Sequence, residues 1–134
     1  MTGTEIVGAL LRSHPQLVAI VPLAGIKAGR LPSDALLPAM VVNDIDTVER
    51  LTLKRGSMVR LTERVSVTVR ASDYDSRTSI LKLVRDCCAG WTGNMGDAER
   101  IAILNAGKGP GLIGIGDSFE QSQDFRVSYD TPTT

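Results

Sequence analysis

"ERVSVTVRASDYDSRTSILKLVRDCC", residues 63–88, changes its period halfway. Up to Arg70, Val65, Val67 and Val69 alternate with Arg64, Ser66, Thr68 and Arg70. A period of two puts the valines on one side of an extended chain and the polar residues on the other. Beyond Ser72 the spacing becomes helical: Ile80, Leu81, Val84, Cys87 and Cys88 share one side, while Lys82, Arg85 and Asp86 fall on the wet side. Ser72-Asp-Tyr-Asp75 has the spacing of a capping box, and Gly90 is placed to end the helix. A half-apolar strand that runs into a half-apolar helix buries both stripes when the helix folds back on the sheet.

The flanking sequence extends this pattern. "AMVVNDIDTVERLTL", residues 39–53, is rich in β-branched residues and partly alternating, and "KRGS", residues 54–57, is a turn signal. Val59, Leu61, Val65, Val67 and Val69 then lie mostly on one face. The reading is a hairpin of two long strands. A strand of about 14 residues reaches roughly 45 Å, more than a small domain's breadth, so its far end should protrude. At the start of the chain, Thr2-Gly-Thr-Glu5 is another capping box, followed by Ile6, Val7, Leu10 and Leu11 on one helical face. His14-Pro15 interrupts that helix, a further turn or two follows, and Pro22 stops it. Residues 22–38 carry Pro22, Gly25, Gly29, Pro32 and Pro38 and read as a link with a short strand at 26–30. "WTGNMGD", residues 91–97, reads as a loop and residues 99–105 as a strand. In residues 121–130, Phe125, Val127 and Tyr129 alternate with Asp124, Arg126 and Ser128, the pattern of an antiparallel strand with one covered face. The expected fold is one α+β domain over residues 1–134: a mostly antiparallel sheet with a long protruding β-hairpin and two main helices packed on one face.

"NAGKGPGLIGIGD", residues 105–117, spells G-x-G-x-x-G at Gly109, Gly111 and Gly114. A dinucleotide loop must turn a strand into a helix whose N-terminus faces the pyrophosphate. Here Gly111, Gly114 and Gly116 fall where that helix should be, and each costs about 1 kcal/mol relative to alanine. Lys108 has no Ser or Thr after it, so a Walker loop fails as well. The reading is a mobile glycine-rich connection over residues 107–116, with no bound cofactor.

The remaining residues point away from catalysis. His14 is the only histidine and reads as a solvated or packing residue; Cys87 and Cys88 read as small apolar helix residues. Asp44 and Asp46 share one strand face by period and lack a third metal ligand. There is no G-x-S-x-G, H-E-x-x-H or Cys/His cluster, so no catalytic, cofactor or metal site is assigned and the chain is read as no enzyme. No apolar run reaches the ~20 residues of a membrane span, and no signal peptide opens the chain, so a soluble protein is expected.

Net charge is zero, with 15 basic and 15 acidic residues, which argues against general attraction to nucleic acid. The charges are nevertheless segregated. Arg50, Lys54, Arg55, Arg60, Arg64 and Arg70 against Glu63 leave residues 50–70 at +5. Asp117, Glu120, Asp124 and Asp130 against Arg126 leave residues 117–130 at −3, and residues 30–49 also come to −3. Opposite patches on one chain suit a head-to-tail contact that closes into a ring. The expected interface residues are Lys54, Arg55, Arg60, Arg64, Arg70, Asp124 and Asp130, with Arg64 or Arg70 meeting Asp124 or Asp130 of the next copy.

The order of parts then carries a resemblance. "TEIVGALLRSHPQLVAIV", the proline-bounded "GRLPSDALLPAMVV", the strand-to-helix passage above and the closing "QSQDFRVSYD" together resemble the tail terminator, or tail-completion, family of long-tailed bacteriophages and related particles such as gene transfer agents. The resemblance implies a small α+β subunit of a hexameric ring that caps the finished tail tube. It implies as partners other copies of itself, the tail tube protein and the head–tail connector or stopper, with no membrane and no sequence-specific nucleic acid. It implies a place at the head-proximal end of the virion tail, after assembly in the host cytoplasm. Two alternatives stay open at this stage: a stopper or adaptor at the head–tail joint, and a small ligand-binding protein or enzyme.

Overall fold

The computed structural model of the chain describes residues 1–32, 34–50 and 56–133. The first helix, α1 (Gly3–Ser13), starts where the Thr2 hydroxyl accepts a hydrogen bond from the Glu5 N–H at 3.2 Å. It buries Ile6, Val7, Leu10 and Leu11. His14 leaves the helical region and caps the short α2 (Pro15–Ile20), its Nδ1 accepting from the Leu17 N–H at 3.3 Å. This histidine is therefore a punctuation residue: a cap followed by a proline at the first helical position. A 3₁₀ turn (Leu23–Gly25) leads into β1 (Ile26–Ala28).

The long hairpin is β2 (Ala39–Arg50) and β3 (Met58–Ala71), antiparallel, with a bulge between Asp44 and Asp46. That bulge corrects one expectation. Asp44 opposes Val65 and Asp46 opposes Arg64, so the two carboxylates lie on opposite faces. The next helix, α3 (Tyr74–Cys88), buries Ile80, Leu81, Val84 and Cys88. Its cap is Asp73 rather than Ser72, the Asp73 carboxylate accepting from the Ser76 N–H at 2.8 Å. Gly90, at φ +79°, makes the turn out of the helix. Residues 92–95, expected as loop, form β4 (Thr92–Met95), which pairs with β5 (Ala98–Lys108). A two-residue β6 (Leu112–Ile113) and a second 3₁₀ turn (Ile115–Asp117) precede β7 (Phe119–Pro132).

The strands among the described residues form one seven-stranded sheet in the order β1-β2-β3-β7-β5-β4, with β6 also on β7. Every pairing is antiparallel except β1 with β2. The α+β class read from the sequence is the fold observed. β7 pairs with β3 along its whole length, from Ala71 opposite Phe119 to Met58 opposite Pro132. The long strand thus has a partner on each side up to Arg60, while β2 is exposed on both faces from Asp44 to Glu49.

Helices α1 and α3 cover one face of the sheet. Val65, Val67, Val69, Phe125, Val127 and Tyr129 meet Ile6, Leu10, Ile80 and Val84 in one apolar cluster. Burying a side chain of this size contributes about 1.5–3 kcal/mol relative to leaving it in water.

Candidate interaction surface

The uncovered face of β3 and β7 is a ladder of polar cross-strand pairs. Arg70 Nε donates to Glu120 Oε1 at 2.6 Å, the hydroxyls of Thr68 and Ser122 stand 2.7 Å apart, and those of Thr62 and Ser128 3.0 Å apart. Register sets Arg64 opposite Arg126, a like-charge pair. Arg64 escapes it by reaching diagonally to Asp124, donating from Nε at 3.0 Å and from Nη2 at 2.8 Å. Arg60 Nη1 donates to Asp130 Oδ1 at 3.0 Å, and Arg100 Nε to Asp130 Oδ2 at 2.5 Å. Arg100 first, and then Arg60, hold the Asp130 carboxyl below its ordinary pKa. Arg100 sits in a bulge of β5 with φ +50°, its N–H bonded to Asn94 Oδ1 at 2.9 Å. The bulge turns its side chain toward Asp130.

These pairs join several of the expected interface residues to one another within one chain. Arg60, Arg64 and Arg70 have their carboxylates, Asp130, Asp124 and Glu120, on the neighbouring strand of the same chain. The basic and acidic segments that looked segregated along the sequence are adjacent across the sheet and largely neutralise each other. Lys54 and Arg55 lie outside the described residues. Arg100, the third member of the Asp130 cluster, had no signal in the sequence.

Glu63 is the other residue that sequence reasoning missed. Its position in the alternation puts it on the helix-covered face, and it is only 5% exposed. It accepts from the Gly3 N–H at 3.1 Å, at the first turn of α1, and from the Tyr129 hydroxyl. A carboxylate at a helix N-terminus is matched to the free N–H groups and the positive end of the helix dipole. Burial, and then Glu63, push the Tyr129 hydroxyl far above its ordinary pKa, so it stays a donor. A Cβ on Gly3 would stand 2.7 Å from Glu63 Oε2, so glycine leaves room for the carboxylate to approach the helix start without shifting. The visible hint was one charged residue in the row Leu61, Glu63, Val65.

The glycine stretch, expected as a connection between two strands, is hydrogen-bonded along β7. Gly109 N–H donates to Ser122 O at 2.9 Å, and the side-chain amides of Gln121 and Gln123 donate to the carbonyls of Gly109 and Gly107 at 2.8 and 3.0 Å. After Gly111 the chain enters strand β6, so no helix N-terminus faces the G-x-G-x-x-G. Gly111 closes over Arg77, where a Cβ would stand 2.6 Å from Nη1. Arg77 is buried and lies over the Tyr74 ring, 4.6 Å from its centroid. Cys87 and Cys88 are unbridged, half-buried and buried respectively, as apolar helix residues would be.

The described residues form grooves, two of which bear on binding. One, of about 420 Å³, lies between α3 and the β5–β7 edge and is lined by Lys82, Arg85, Lys108, Asn105, Gln121 and Gln123, among others, with no carboxylate. The other, of about 230 Å³, lies along the proline-bounded link between Pro22 and Pro38 and is mainly apolar. Among the described residues there is no cluster of His, Cys, Asp and Glu that could hold a metal, and no helix long and apolar enough to cross a membrane.

Comparison with known proteins places the fold. The chain is similar to a chain in the solved virion of a native gene transfer agent particle, with a TM-score of 0.68 and 12% sequence identity. The match covers 92% of this chain and 91% of that one. At this identity the likeness is one of fold. A scan against protein-family models and a search of curated proteins both find no match.

Proposed function

We propose that this chain is a non-enzymatic structural protein of a phage-like virion, and specifically a tail terminator. The observation that carries the reading is the near end-to-end likeness of fold to a component of a gene transfer agent virion, in a sequence whose order of parts resembles the terminator family. In this role the whole chain, residues 1–134, is one subunit of a closed ring, six by the family resemblance. The ring caps the completed tail tube and presents its other side to the head-side connector or stopper. It sits at the head-proximal end of the tail and is assembled in the host cytoplasm, without membrane or sequence-specific nucleic-acid contacts. Lys54 and Arg55, in the turn signal read from the sequence, contact the tube or the connector. The neutralised ladder of Arg60, Arg64, Arg70, Asp124 and Asp130 gives that contact a stiff, polar backing.

The test is removal of the chain from the assembling particle. The expected result is tail tubes of uncontrolled length and tails detached from heads, with the tagged protein labelled at the head-proximal end of complete particles. Tails of normal length joined to heads in its absence overturn the reading. Replacing Lys54 and Arg55 together with glutamate should leave melting nearly unchanged while reducing incorporation; normal incorporation removes these two residues from the interface.

A further inference from the structure

With the ladder charges paired inside the chain, two groups of charges stand apart at opposite edges of the sheet. On β2, Asp44, Asp46 and Glu49 are exposed and make no ion pair or hydrogen bond with any described residue. The same holds for Lys82, Arg85 and Lys108 around the groove between α3 and β5.

Both groups border unpaired strand edge. β1 covers β2 only from Met40 to Val42, and among the described residues nothing pairs with the outer side of residues 44–49. On the far side of the sheet, β4 covers β5 only to Ala102, Trp91 takes Ile103, and no described backbone group pairs with the outer side of residues 104–108. Exposed apolar side chains mark both edges: Ile45 at 54% and Val48 at 63% on one, Leu104 at 60% on the other. An open, partly apolar edge is a template for a further strand.

The two edges match in direction and face, and their matching residues lie two positions apart in height. Asp46 opposes Arg64, Arg64 opposes Arg126, and Arg126 opposes Leu104, so Asp46 and Leu104 lie on one row of the sheet. Asp44, Val65, Phe125 and Asn105 form the next row. β2 runs antiparallel to β5, and a copy rotated about an axis along the strands keeps that direction. Asp44 shares a row with Val65 on the helix side, and Lys108 lies two residues farther along on the same side, in the row of Val67 and the buried Gln123. Val48 and Leu104, paired with Thr62 and Arg126, share the uncovered side. Set edge to edge, acid meets base on one face and apolar meets apolar on the other.

We propose that residues 44–49 of one copy add as an antiparallel strand to residues 104–108 of the next, with Asp44 beside Lys108, near Lys82 and Arg85, and Val48 beside Leu104. The partner is a second copy of this chain, and the contact deepens the ring reading on which it rests. Two different edges of one subunit make a heterologous contact, which closes into a ring when the rotation allows. Main-chain hydrogen bonds hold the strands together, and the charges set orientation and weaken the contact as salt rises.

The experiment uses the full chain carrying both Asp44→Cys and Lys108→Cys. The two positions are on opposite sheet edges, so a disulfide between them forms only between copies. Oxidation, in concentrated solution and in purified particles, should give a ladder of covalent oligomers on non-reducing gels, ending at the closed ring. The chain without the two new cysteines is the control for Cys87 and Cys88, and an unchanged melting temperature confirms the fold. Asp44→Lys should weaken association roughly tenfold and Asp44→Lys with Lys108→Glu should restore it. Particles that contain the variant but show no ladder overturn the edge contact and leave the virion reading standing. A ladder from a chain that never enters particles overturns the virion reading and leaves the edge contact standing.

Discussion

β3 and β7 present two faces from the same residues in one register, and different forces hold each face. On the covered side, Val65, Val67, Val69, Phe125, Val127 and Tyr129 pack under α1 and α3, where stabilisation scales with the area taken from water. On the uncovered side, arginines, carboxylates and hydroxyls pair across the strands in contact with solvent, where each ion pair is worth about 0–1 kcal/mol. The covered face accounts for most of the stability. The ladder selects register: a two-residue slip of β7 would move Arg60, Arg64 and Arg70 off their present carboxylates. Glu63 is the exception that joins the two, a carboxylate on the apolar side that ties Tyr129 of β7 to the first turn of α1.

This contrast can be broken from either side. The largest effect is expected on the covered face: Phe125→Ala should cost about 3–5 kcal/mol by loss of contacts and cavity formation. For a chain of this length that lowers the melting temperature by more than about 10 °C, which calorimetry would read. A loss as small as that of a ladder residue would mean the two faces are not so unequal.

Next is Glu63→Ala, which strands the Gly3 N–H and the Tyr129 hydroxyl and should cost about 2–3 kcal/mol. Because the two residues act together, Tyr129→Phe should cost less in the Glu63→Ala background than alone. Additive losses in denaturant melts would show that the contact carries no coupling.

Asp130→Asn should cost about 1–3 kcal/mol, the range for hydrogen bonds to charged groups. The folded state holds this carboxyl below its unfolded pKa of about 3.9, so its contribution is present above that pH and is lost as pH falls through the folded value. The variant should therefore lose part of the acid sensitivity of the wild type. Parallel stability-versus-pH curves would mean that Arg100 and Arg60 do not act on Asp130 in solution.

The smallest change is Arg64→Ala, with an expected loss of no more than about 1 kcal/mol, reduced further by salt. A loss above about 2 kcal/mol, unaffected by salt, would place the ladder among the main supports of the fold and sharpen the comparison in the opposite direction.

Much of the architecture was legible before any coordinates. The period of two in residues 64–70 and the period of three to four behind Ser72 named a strand and a helix, and both capping boxes marked helix starts, one of them a residue early. The misreadings share one cause. Asp44 and Asp46 were put on one face because period two assumes a regular strand, and a bulge depends on the partner strand. Residues 92–95 carry two turn-forming residues, Gly93 and Asn94, and become a strand only because β5 is there to pair with them. The anchors of the glycine stretch were not legible because Gln121 and Gln123 lie on the strand that follows it.

The candidate surface divides the same way. Local sequence, acting within a few residues, determined which segments extend, which coil, where helices begin and which side of each is apolar. It also set the charge of each segment, but not the neighbour each charge would meet. That neighbour depends on which strands lie side by side and in what register, a choice made by closing long loops and burying both apolar faces together. Arg64 and Asp124 are 60 residues apart in the chain and 2.8 Å apart in space. Only the tertiary structure could pair them inside one molecule, and so leave the edges of β2 and β5 as the places where unmatched charge and unpaired backbone coincide.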